Sequence, residues 1–548
     1  MEKILLNKPG GKVILLGNEA IVRGALEMGV QFVSTYPGTP ASEIGDVFSK
    51  IAKKAGVYFE YSTNEKVALE AGAGASFCGL RSLVAMKNFG LNVASDFLIP
   101  LCHSGIKGGM VILVADDPNC WSSAQSEQNT RGYSYLAHIP TLEPSDPQEC
   151  KDFTKLAFKI SEEFKIPVLV RTTTRVAHQS MPVKLGRMEI TRSGLVKFVR
   201  NPERFVTMPP RVLEMKKELL KKIEEIRKFS EKSEINRIYN QQSTINNQQL
   251  AIITSGVSYL YVMEALKEIE INLPVLKLGF FYPLPEKRIK KFIKNLKKVL
   301  IVEELEPYLE REVERLTKDV NPNLEIYGKN LLPEVGELRP EYVIEAISQL
   351  VRKKPKFDFK KHSERFKKIK TIKHIPRLCP GCPYWLVFSA VKKAVNSEKV
   401  IFGGEIGCYM LAGLPPHEIQ DYLYCMGSSV GIAHGIKKAS KGNQKLITFV
   451  GDSSFFHAGI PALINTVFNK SNPLIIIMDN STTAMTGQQP HPGRVIKIED
   501  IVSACGVKNL KVIDPVNQKE MVDTIKNFLN KKEVSVIIAR RPCIKIKS

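Results

Sequence analysis

The sequence predicts an α/β protein built on parallel sheets, and three observations lead to this fold class. Residues 1 to about 190 alternate helical patterns with apolar runs at 13–16, 31–34, 110–115 and 167–171. A second alternation begins at Leu250 with LAIITSG, a strand that enters a glycine turn. In a third, two apolar strands at 446–450 and 474–478 flank a helical segment. Such alternation favours parallel sheets that are covered by helices.

The chain is expected to contain several domains, because 548 residues are too many for one hydrophobic core. Apolar residues recur at helical spacing through the highly charged segment 209–232, which predicts an exposed connecting helix. The polar segment 239–249 is typical of a linker. We therefore place three α/β segments at 1–190, 250–351 and 378–548, joined by a helix and linker at 191–249 and a basic linker at 352–377.

The composition is that of an ordinary globular protein, with 43% hydrophobic and 25% charged residues. No run approaches the roughly eighteen consecutive apolar residues that a membrane span requires. The first residues, MEKILLNKPGGK, lack the apolar run and cleavage site of a secretory signal. We therefore expect a cytoplasmic protein that does not enter a membrane and whose ten cysteines are reduced.

The net charge of +23 raises the question of nucleic-acid binding. The lysines, however, are spread over long polar segments such as 216–232 and 287–298, without the interleaved aromatic side chains of a stacking platform. Two interpretations stay open: solvated lysine-rich faces, and electrostatic steering of an acidic protein partner. We expect no nucleic-acid partner.

Polar residues follow both strands of the third alternation. The first strand runs into Gly-Asp-Ser at 451–453, and the second ends at Asp-Asn at 479–480. Open α/β sheets bind ligands at the carboxyl ends of their strands, and Mg²⁺ takes oxygen ligands together with a substrate phosphate. Asp452 and Asn480 can supply two such oxygens, and the carbonyl of Thr482 a third. The alternative is an ordinary β-α-β crossover with polar turn residues.

Four cysteines form a candidate metal site. Cys379 and Cys382 make a Cys-x-x-Cys pair, and Cys408 and Cys543 follow singly. Four thiolates suit a zinc ion or an iron–sulfur cluster, whereas a Cys-x-x-Cys pair can also be redox-active or a simple turn. Zinc ribbons usually bring a second close pair, so the scattered single cysteines favour a cluster, with zinc and unliganded thiols as open alternatives. The other cysteines are expected to pack as small hydrophobic residues: Cys78, Cys102, Cys120, Cys150, Cys425 and Cys505.

Residues 451–492 resemble the thiamine diphosphate motif, which opens Gly-Asp-Gly and closes on Asn, with Ser453 in place of the third glycine. Together with the cysteines, this motif resembles the alpha subunits of indolepyruvate ferredoxin oxidoreductases, within the 2-oxoacid:ferredoxin oxidoreductase family. The similar stretches follow one another almost end to end: YPGTPASEI at 36–44, NEKVALEAGAGAS at 64–76, KGGMVILVADDP at 107–118, EPSDPQE at 143–149, RTTTRVAH at 171–178 and CPGCP at 379–383.

The resemblance implies a three-domain thiamine-diphosphate enzyme. Residues 1–190 correspond to the domain that binds the pyrimidine of the cofactor, and 378–548 to the related domain that binds its diphosphate. Residues 250–351 correspond to the C-terminal domain of transketolases. The expected cofactors are thiamine diphosphate, Mg²⁺ and a [4Fe-4S] cluster, with coenzyme A as co-substrate.

The resemblance also implies roles for single residues. Glu65 matches the glutamate that contacts the aminopyrimidine ring, where a carboxyl group promotes loss of the thiazolium proton. Thr39 and Pro40 match contacts to the 2-oxoacid. His457 is expected to face the substrate carboxylate, or else to be bonded within its helix. Further cofactor contacts are implied at Cys425, Gly427, Ser428, Gly451 and Ser453, Mg²⁺ ligands at Asp452, Asn480 and Thr482, and cluster ligands at Cys379, Cys382, Cys408 and Cys543.

The implied activity is oxidative decarboxylation of an aryl 2-oxoacid to an acyl-CoA and CO₂, with electrons passed to ferredoxin. The alternatives are a different 2-oxoacid, a non-oxidative thiamine-dependent decarboxylase, and a basic scaffold on a degenerate fold. Retention of Glu65, Asp452 and Asn480 argues against the scaffold.

Expected partners are a smaller gamma-type subunit and a ferredoxin or ferredoxin-domain subunit, in a dimer of heterodimers. Two departures from the family are visible. Tyr384 stands where histidine is common, and the sequence stops at Ser548 without the family's ferredoxin-like domain, so we expect a separate polypeptide or a truncation.

Overall fold

The computed structural model describes residues 2–189, 196–240, 250–359, 361, 364–365, 368–369, 376–396, 399–440 and 444–546. The chain forms two compact units, Met1–Lys370 and Thr371–Ser548. Most of the predicted linker at 239–249 and part of that at 352–377 lie outside the described residues. None of the helices within the described ranges is long and apolar enough to cross a membrane.

The first unit contains three sheets. Its strands, in chain order, are β1 (Lys12–Leu16), β2 (Phe32–Thr35), β3 (Tyr58–Tyr61), β4 (Ser82–Lys87), β5 (Met110–Asp116), β6 (Thr141–Leu142), β7 (Val168–Thr173), β8 (Ser180–Lys184), β9 (Arg237–Tyr239), β10 (Leu250–Ser255), β11 (Val275–Leu278), β12 (Phe280–Tyr282), β13 (Lys298–Val302) and β14 (Glu325–Tyr327). The largest sheet has the order β12-β6-β7-β5-β4-β2-β3, and all its pairs are parallel except β12 with β6.

The predicted parallel sheet is confirmed, with one exception. Strands β5 and β7 are buried along their whole length, as expected for parallel strands covered on both faces. The run at 13–16 does form a strand, but β1 pairs only with β8 in a separate antiparallel ladder. Ile14 is exposed there, because a two-stranded ladder covers one face of the strand at most.

The segment that begins at Leu250 supplies four strands of a five-stranded sheet, in the order β14-β13-β10-β11-β9, and the preceding strand β9 adds to it antiparallel to β11. Strand β12 leaves this segment and adds to the edge of the seven-stranded sheet through β6. Arg131 connects the segments 1–190 and 250–351. It forms a bidentate ion pair with Glu143, with both N···O distances 2.7 Å, and a second ion pair with Glu303. The segments 1–190 and 250–351 therefore share one hydrophobic core.

Helices cover the sheets of the first unit. The predicted connecting helix is confirmed as Arg211–Lys232, but it is exposed on one face only. Its apolar face buries Met215, Leu219 and Ile223, while Leu213 stays exposed. Other helices within the described ranges of this unit are Glu2–Leu5, Gly17–Glu27, Ser42–Ala55, Glu65–Phe77, Asn88–Ser104, Arg131–Leu136, Pro147–Phe164, Thr174–His178, Pro202–Phe205, Ser258–Ile269, Glu286–Ile293, Tyr308–Val320 and Pro340–Val351, with a 3₁₀ turn at Pro118–Cys120.

The second unit is built on a single six-stranded, fully parallel sheet. Its strands are β15 (Val400–Gly404), β16 (Tyr422–Leu423), β17 (Lys445–Gly451), β18 (Leu474–Asp479), β19 (Asn509–Ile513) and β20 (Ser535–Arg540), in the order β16-β15-β17-β18-β20-β19. The predicted strands at 446–450 and 474–478 are confirmed as β17 and β18. The helices are Tyr384–Ala394, Ser428–Ala439, Asp452–Ser454, Ile460–Phe468, Ile498–Ala504 and Gln518–Phe528, with 3₁₀ turns at Cys408–Gly413 and Pro492–Arg494 and a π-helical turn at Phe455–Gly459.

Candidate active site

Asp452 lies at the carboxyl end of β17, in the centre of the second unit's sheet. Its side chain is 3% exposed. The Oδ1 atom accepts the backbone N–H of Ser453 at 2.8 Å, and Oδ2 accepts those of Asn480 at 3.1 Å and Ser481 at 2.7 Å. The loop after β18 therefore wraps around this carboxylate, and the structure brings Asp452 and Asn480 together.

A histidine that the sequence analysis did not select completes this cluster. The Nε2 atom of His491 lies 3.1 Å from Oδ2 of Asp452, and its Nδ1 atom accepts the N–H of Gly493 at 3.1 Å. Because Nδ1 accepts a hydrogen bond, Nε2 carries the hydrogen and donates a hydrogen bond to Asp452. The only signal in the sequence is the position of His491 at the end of the motif-like stretch.

The loop after β18 presents several oxygen atoms. The side-chain oxygen of Asn480 accepts the N–H of Thr482 at 3.1 Å, and the Thr482 hydroxyl donates to the carbonyl of Gln489 at 3.1 Å. Ser481 between them has a positive φ of 64°, which turns the backbone sharply back toward the strand end. These bonds fix the loop on which the amide of Asn480 and the carbonyl of Thr482 lie, beside the Asp452 carboxylate.

The helix Ser428–Ala439 starts next to this cluster. Its N-cap, Gly427, has a φ of 79°, and a Cβ atom there would lie 2.7 Å from the backbone carbon of Ala458. Only glycine fits this close approach. The hydroxyl of Ser429 in the first turn is buried and has no hydrogen-bond partner within the described residues. Free N–H groups at a helix start favour anions. Cys425, two residues before Gly427, is exposed, so the expectation that it packs as a small hydrophobic residue is wrong.

Glu405, which sequence reasoning also missed, bonds both to Gly427, before the helix Ser428–Ala439, and to Gly451, at the end of β17. This fully buried side chain follows β15, and it accepts the N–H of Gly427, the N–H of Gly451 at 3.4 Å and the hydroxyl of Tyr409. Burial raises the pKa of Glu405 to about 8. The carboxyl group thus ties the start of the helix Ser428–Ala439 to the end of β17.

His457 lies in the π-helical turn Phe455–Gly459, five residues after Asp452, and is buried. Turns of this kind are found frequently at functional sites. Ser453, also buried, accepts a hydrogen bond from the hydroxyl of Thr483 at 3.0 Å. Ser453 therefore belongs to the Asp452 cluster, and His457 lies on the same segment of chain.

The four candidate cysteines line one cavity of about 410 Å³, together with Asn480. The backbone N–H of Cys543 donates to the carbonyl of Asn480 at 3.0 Å, so this cavity adjoins the Asp452 cluster. Burial raises the pKa values of Cys382 and Cys408 to about 11. In the described parts of the chain, no group of three or more His, Cys, Asp or Glu side chains is gathered tightly enough to hold a single metal ion.

Tyr384 also lines the cysteine cavity. Its ring is buried, and its hydroxyl donates to the carbonyl of Met478 near the end of β18, at 3.2 Å. Burial raises the Tyr384 pKa well above its ordinary value, so the phenol stays neutral. Tyr384, the residue that departs from the family pattern, therefore lies between the cysteine cavity and the end of β18.

In the first unit, Glu65 begins the helix Glu65–Phe77 and is buried. Asn64 caps this helix by accepting the N–H of Val67 at 2.9 Å. A Cβ atom on Gly90 would lie 2.6 Å from Cγ of Glu65, so the glycine makes room for the glutamate. These contacts fix the carboxyl group at the start of its helix.

The YPGTP segment follows β2. The carbonyl of Pro40 accepts the side-chain amide of Asn18 at 2.7 Å, and the Thr39 hydroxyl lies 3.3 Å from that of Ser42. Pro40 is buried and Thr39 is half-buried. The loop is therefore held rigidly while the Thr39 hydroxyl stays accessible.

Lys87, which the sequence analysis did not select, lies between these two features. A Cβ atom on Gly38 would lie 2.8 Å from the Lys87 side chain, and the ammonium group donates to the Ser123 hydroxyl at 2.9 Å. Burial lowers the pKa of Lys87 to about 8, an effect that the negative charges of Asp117 and Glu65 oppose. The pKa of Lys87 therefore depends in part on the charge of Glu65.

Comparison with known proteins agrees with this arrangement. Residues 405–539 match the family profile described as "Thiamine pyrophosphate enzyme, C-terminal TPP binding domain". Residues 23–248 match the profile "Pyruvate flavodoxin/ferredoxin oxidoreductase, thiamine diP-bdg". The fold and the site thus define a multi-domain thiamine-diphosphate enzyme of the 2-oxoacid oxidoreductase class.

Relatives at high identity narrow this class. The chain is 44% identical to the indolepyruvate oxidoreductase subunit IorA of Methanothermobacter thermautotrophicus, over 99% of this chain and 89% of the relative. Identity is 43% to the IorA subunit of Pyrococcus horikoshii, over 98% and 87%, and 40% to that of Archaeoglobus fulgidus, over 99% and 88%. The chain belongs to the family of indolepyruvate oxidoreductase IorA subunits.

A solved structure shows the same fold at lower identity. It is the 2-oxoglutarate:ferredoxin oxidoreductase from Magnetococcus marinus, with a TM-score of 0.50 and 16% sequence identity, and the match covers 62% of this chain and 65% of that one. At this identity the likeness concerns the fold alone.

Proposed function

We propose that this chain is the thiamine-diphosphate subunit of an indolepyruvate:ferredoxin oxidoreductase. The carboxyl group of an aryl 2-oxoacid leaves as CO₂, and the acyl group is transferred to the thiol of coenzyme A. Two electrons go to ferredoxin and one proton is released. The names of the relatives support the substrate. The observation that carries the proposal is the four-cysteine cavity, which adjoins the Asp452 cluster through Asn480.

The residues of the Asp452 cluster fit Mg²⁺ and a diphosphate. The carboxylate of Asp452, the side-chain oxygen of Asn480 and the carbonyl of Thr482 are the oxygen donors that this ion prefers. We assign Gly427 and Ser428 to the diphosphate because they begin a helix, whose positive N-terminal end favours anions, and the unpartnered Ser429 hydroxyl is a donor for the same group. We assign further cofactor contacts to Cys425, Gly451 and Ser453.

Glu65 and its neighbours would contact the aminopyrimidine ring of the cofactor. Bound thiamine diphosphate supplies a nucleophilic carbon and an electron sink for decarboxylation. The carboxyl group of Glu65 exchanges a proton with the aminopyrimidine ring and so controls the basicity of that ring. The packing against Gly90 and the cap at Asn64 keep the carboxyl group oriented. In this assignment, residues 1–190 bind the pyrimidine and residues 378–548 the diphosphate.

The four cysteines fit an iron–sulfur cluster better than a single metal ion. A single zinc ion draws four sulfur atoms to about 2.3 Å from one centre, whereas the cavity that these thiols line, about 410 Å³, has room for a larger group. We assign a [4Fe-4S] cluster to Cys379, Cys382, Cys408 and Cys543. Such a cluster supplies one-electron transfer. Because Cys382 and Cys408 are neutral thiols at pH 7, loading must release their protons.

Substrate and partners complete the proposal. Thr39, Pro40 and His457 contact the 2-oxoacid, and coenzyme A takes the acyl group. A smaller gamma-type subunit joins the chain in a dimer of heterodimers, and a ferredoxin or ferredoxin-domain subunit accepts the electrons. The net charge of +23 favours the approach of an acidic electron acceptor.

Reconstitution tests this function. The chain is purified anaerobically, combined with the candidate small subunit and assayed with indolepyruvate, phenylpyruvate, pyruvate and 2-oxoglutarate, with coenzyme A and a viologen dye. We expect dye reduction that requires coenzyme A and is fastest with the aryl substrates. CO₂ release without dye reduction, from protein that holds no iron, would instead identify a non-oxidative decarboxylase.

A further inference from the structure

The first unit contains a cavity of about 400 Å³ that the proposed chemistry does not use. It lies where the helices Asn88–Ser104 and Pro147–Phe164 end, against the first half of Arg211–Lys232. The short helix Pro202–Phe205 closes one side. Its lining contains more basic than acidic side chains: His103, Lys165, Arg204, Arg211 and Lys222 against Glu203 and Glu218.

Some of these cations have no acidic partner among the described residues. Arg211 is neutralised by Glu218, at 2.8 and 3.1 Å. Arg204 and Lys222 form no ion pair with any carboxylate in the described ranges; Arg204 donates to the carbonyl of Ile106, and Lys222 donates to that of Lys165 at 3.3 Å. The Nε atom of Arg204 is buried and has no hydrogen-bond partner among those residues.

The two cations also converge. A Cβ atom on Gly105 would lie 3.3 Å from Nη2 of Arg204 and 3.6 Å from Nζ of Lys222. Two like charges so close to one point, in partly buried surroundings, repel each other. Burial lowers the pKa of both groups, and the charge of Arg204 lowers that of Lys222 further. An anion held between them would remove this repulsion.

Part of the cavity lining is apolar. The half-buried ring of Phe164 contributes to it, and Met215 and Leu219, both 1% exposed, lie at its boundary on the same face of the helix Arg211–Lys232 as Lys222. A ligand for this cavity therefore needs an anionic end and an apolar, preferably aromatic, body. The volume lies in the range of small-molecule sites, roughly 300–1,000 Å³. An arginine fork beside a lysine is the arrangement that proteins use for phosphate groups.

We propose that this cavity is a binding site for a nucleoside diphosphate, with Arg204 and Lys222 holding the phosphates and the ring of Phe164 contacting the base. The proposal goes beyond the function assigned to Glu65 and the Asp452 cluster. Two sources share this chemistry: a free nucleotide, and the nucleotide end of coenzyme A.

Calorimetric titration of the full chain tests the site. The protein is first saturated with thiamine diphosphate and Mg²⁺, so that the diphosphate site is filled. ADP, coenzyme A, adenosine and inorganic phosphate are then titrated separately. We expect ADP to bind at least 10-fold more tightly than adenosine, and its affinity to fall as salt screens the cations. Competition between ADP and coenzyme A identifies the source, since only a shared site makes the two exclude each other.

Variants locate the binding. Lys222→Met and Arg204→Gln should each weaken ADP binding at least 10-fold, whereas Lys217→Met, on the exposed face of the same helix, should leave it unchanged. As a check independent of folding, ADP should protect Lys222 of the wild-type protein from acetylation by acetic anhydride, read by mass spectrometry. The proposal is overturned if wild-type protein does not bind ADP, if the variants bind it equally well, or if Lys222 is not protected.

Discussion

The imidazole Nε2 atom of His491 lies 3.1 Å from the Oδ2 atom of Asp452, and both side chains are buried. The same carboxylate accepts three backbone N–H groups, from Ser453, Asn480 and Ser481. Four donors thus hold Asp452 in one orientation at the end of β17. A carboxylate that is held in this way does not need to be ordered when an ion binds to it.

The first prediction concerns Asp452. Replacement of Asp452 by Ala should abolish Mg²⁺-dependent binding of thiamine diphosphate, because it removes the charged oxygen ligand while the buried strands stay intact. Affinity is measured by calorimetry with and without Mg²⁺, and folding by circular dichroism. Asp514→Ala, at an exposed position of the same unit, is the control. Unchanged cofactor affinity in the Asp452 variant would remove this residue from the site.

The second prediction concerns His491. Its N–H bond to a carboxylate is charge-assisted, and such bonds contribute about 1.5–3 kcal/mol. His491→Ala should therefore weaken thiamine diphosphate binding about 10-fold or more without abolishing it, because the ligands of Mg²⁺ remain. His434→Ala is the matched control, since His434 bonds Ser471 away from the carboxylate. Equal affinity of the two variants for thiamine diphosphate would show that the hydrogen bond from His491 to Asp452 does not contribute to cofactor binding.

The third prediction separates binding from catalysis. Glu65→Gln should bind the cofactor nearly normally but turn over at least about 10²-fold more slowly, the lower end of what a lost general acid or base contributes. The glutamine keeps the packing against Gly90 but cannot exchange the proton. Glu70→Gln, on the same helix, is the control. Wild-type turnover in the Glu65 variant would show that this carboxyl group has no catalytic role.

The fourth prediction follows from the pKa of Glu405, which burial raises from 4.5 to about 8. Between these values the folded protein holds a proton that the unfolded chain releases, so the stability that Glu405 contributes falls as pH rises. The slope is at most about 1.4 kcal/mol per pH unit. Glu405→Gln cannot titrate, so the difference in melting temperature between variant and wild type should change steadily from pH 5 to pH 8.

Differential scanning calorimetry of the cofactor-free protein at several pH values measures this difference. Glu418→Gln, at an exposed position, serves as the control and should show a constant difference. If the Glu405 variant also shows a constant difference, the buried carboxyl group is ionised throughout and its hydrogen bonds to Gly427 and Gly451 outweigh its burial.

The fifth prediction concerns the cluster. Cys543→Ser should reduce bound iron and acceptor-linked turnover, while thiamine diphosphate still binds, because Cys543 lines the cavity but supplies no ligand to Mg²⁺. Cys505→Ser, which packs against a separate apolar core, is the control. Iron analysis and low-temperature electron paramagnetic resonance of the reduced protein are the measurements. Stoichiometric zinc with no paramagnetic signal would make the four cysteines a structural site.

The sequence alone determined the local elements of this protein. Apolar runs gave β17 and β18, and helical spacing gave Arg211–Lys232, because the period of the side chains is set by the backbone geometry of each element. The polar residues at the two strand ends, Asp452 and Asn480, could be placed near each other since parallel neighbouring strands end at the same edge. The resemblance of its motifs to those of a known family indicated which cofactor the protein binds and which family it belongs to.

Only the tertiary structure decided which distant segments meet. His491 reaches Asp452 across 39 positions, Glu405 joins Gly427 to Gly451, and Cys543 bonds Asn480. Strand β1 pairs with β8, and β12 joins a sheet other than that of its neighbour β11. The physical reason is that the periodicity of a segment shows which of its faces is buried but not which other segment covers that face. The choice depends on packing and on the pairing of buried polar groups across the whole chain.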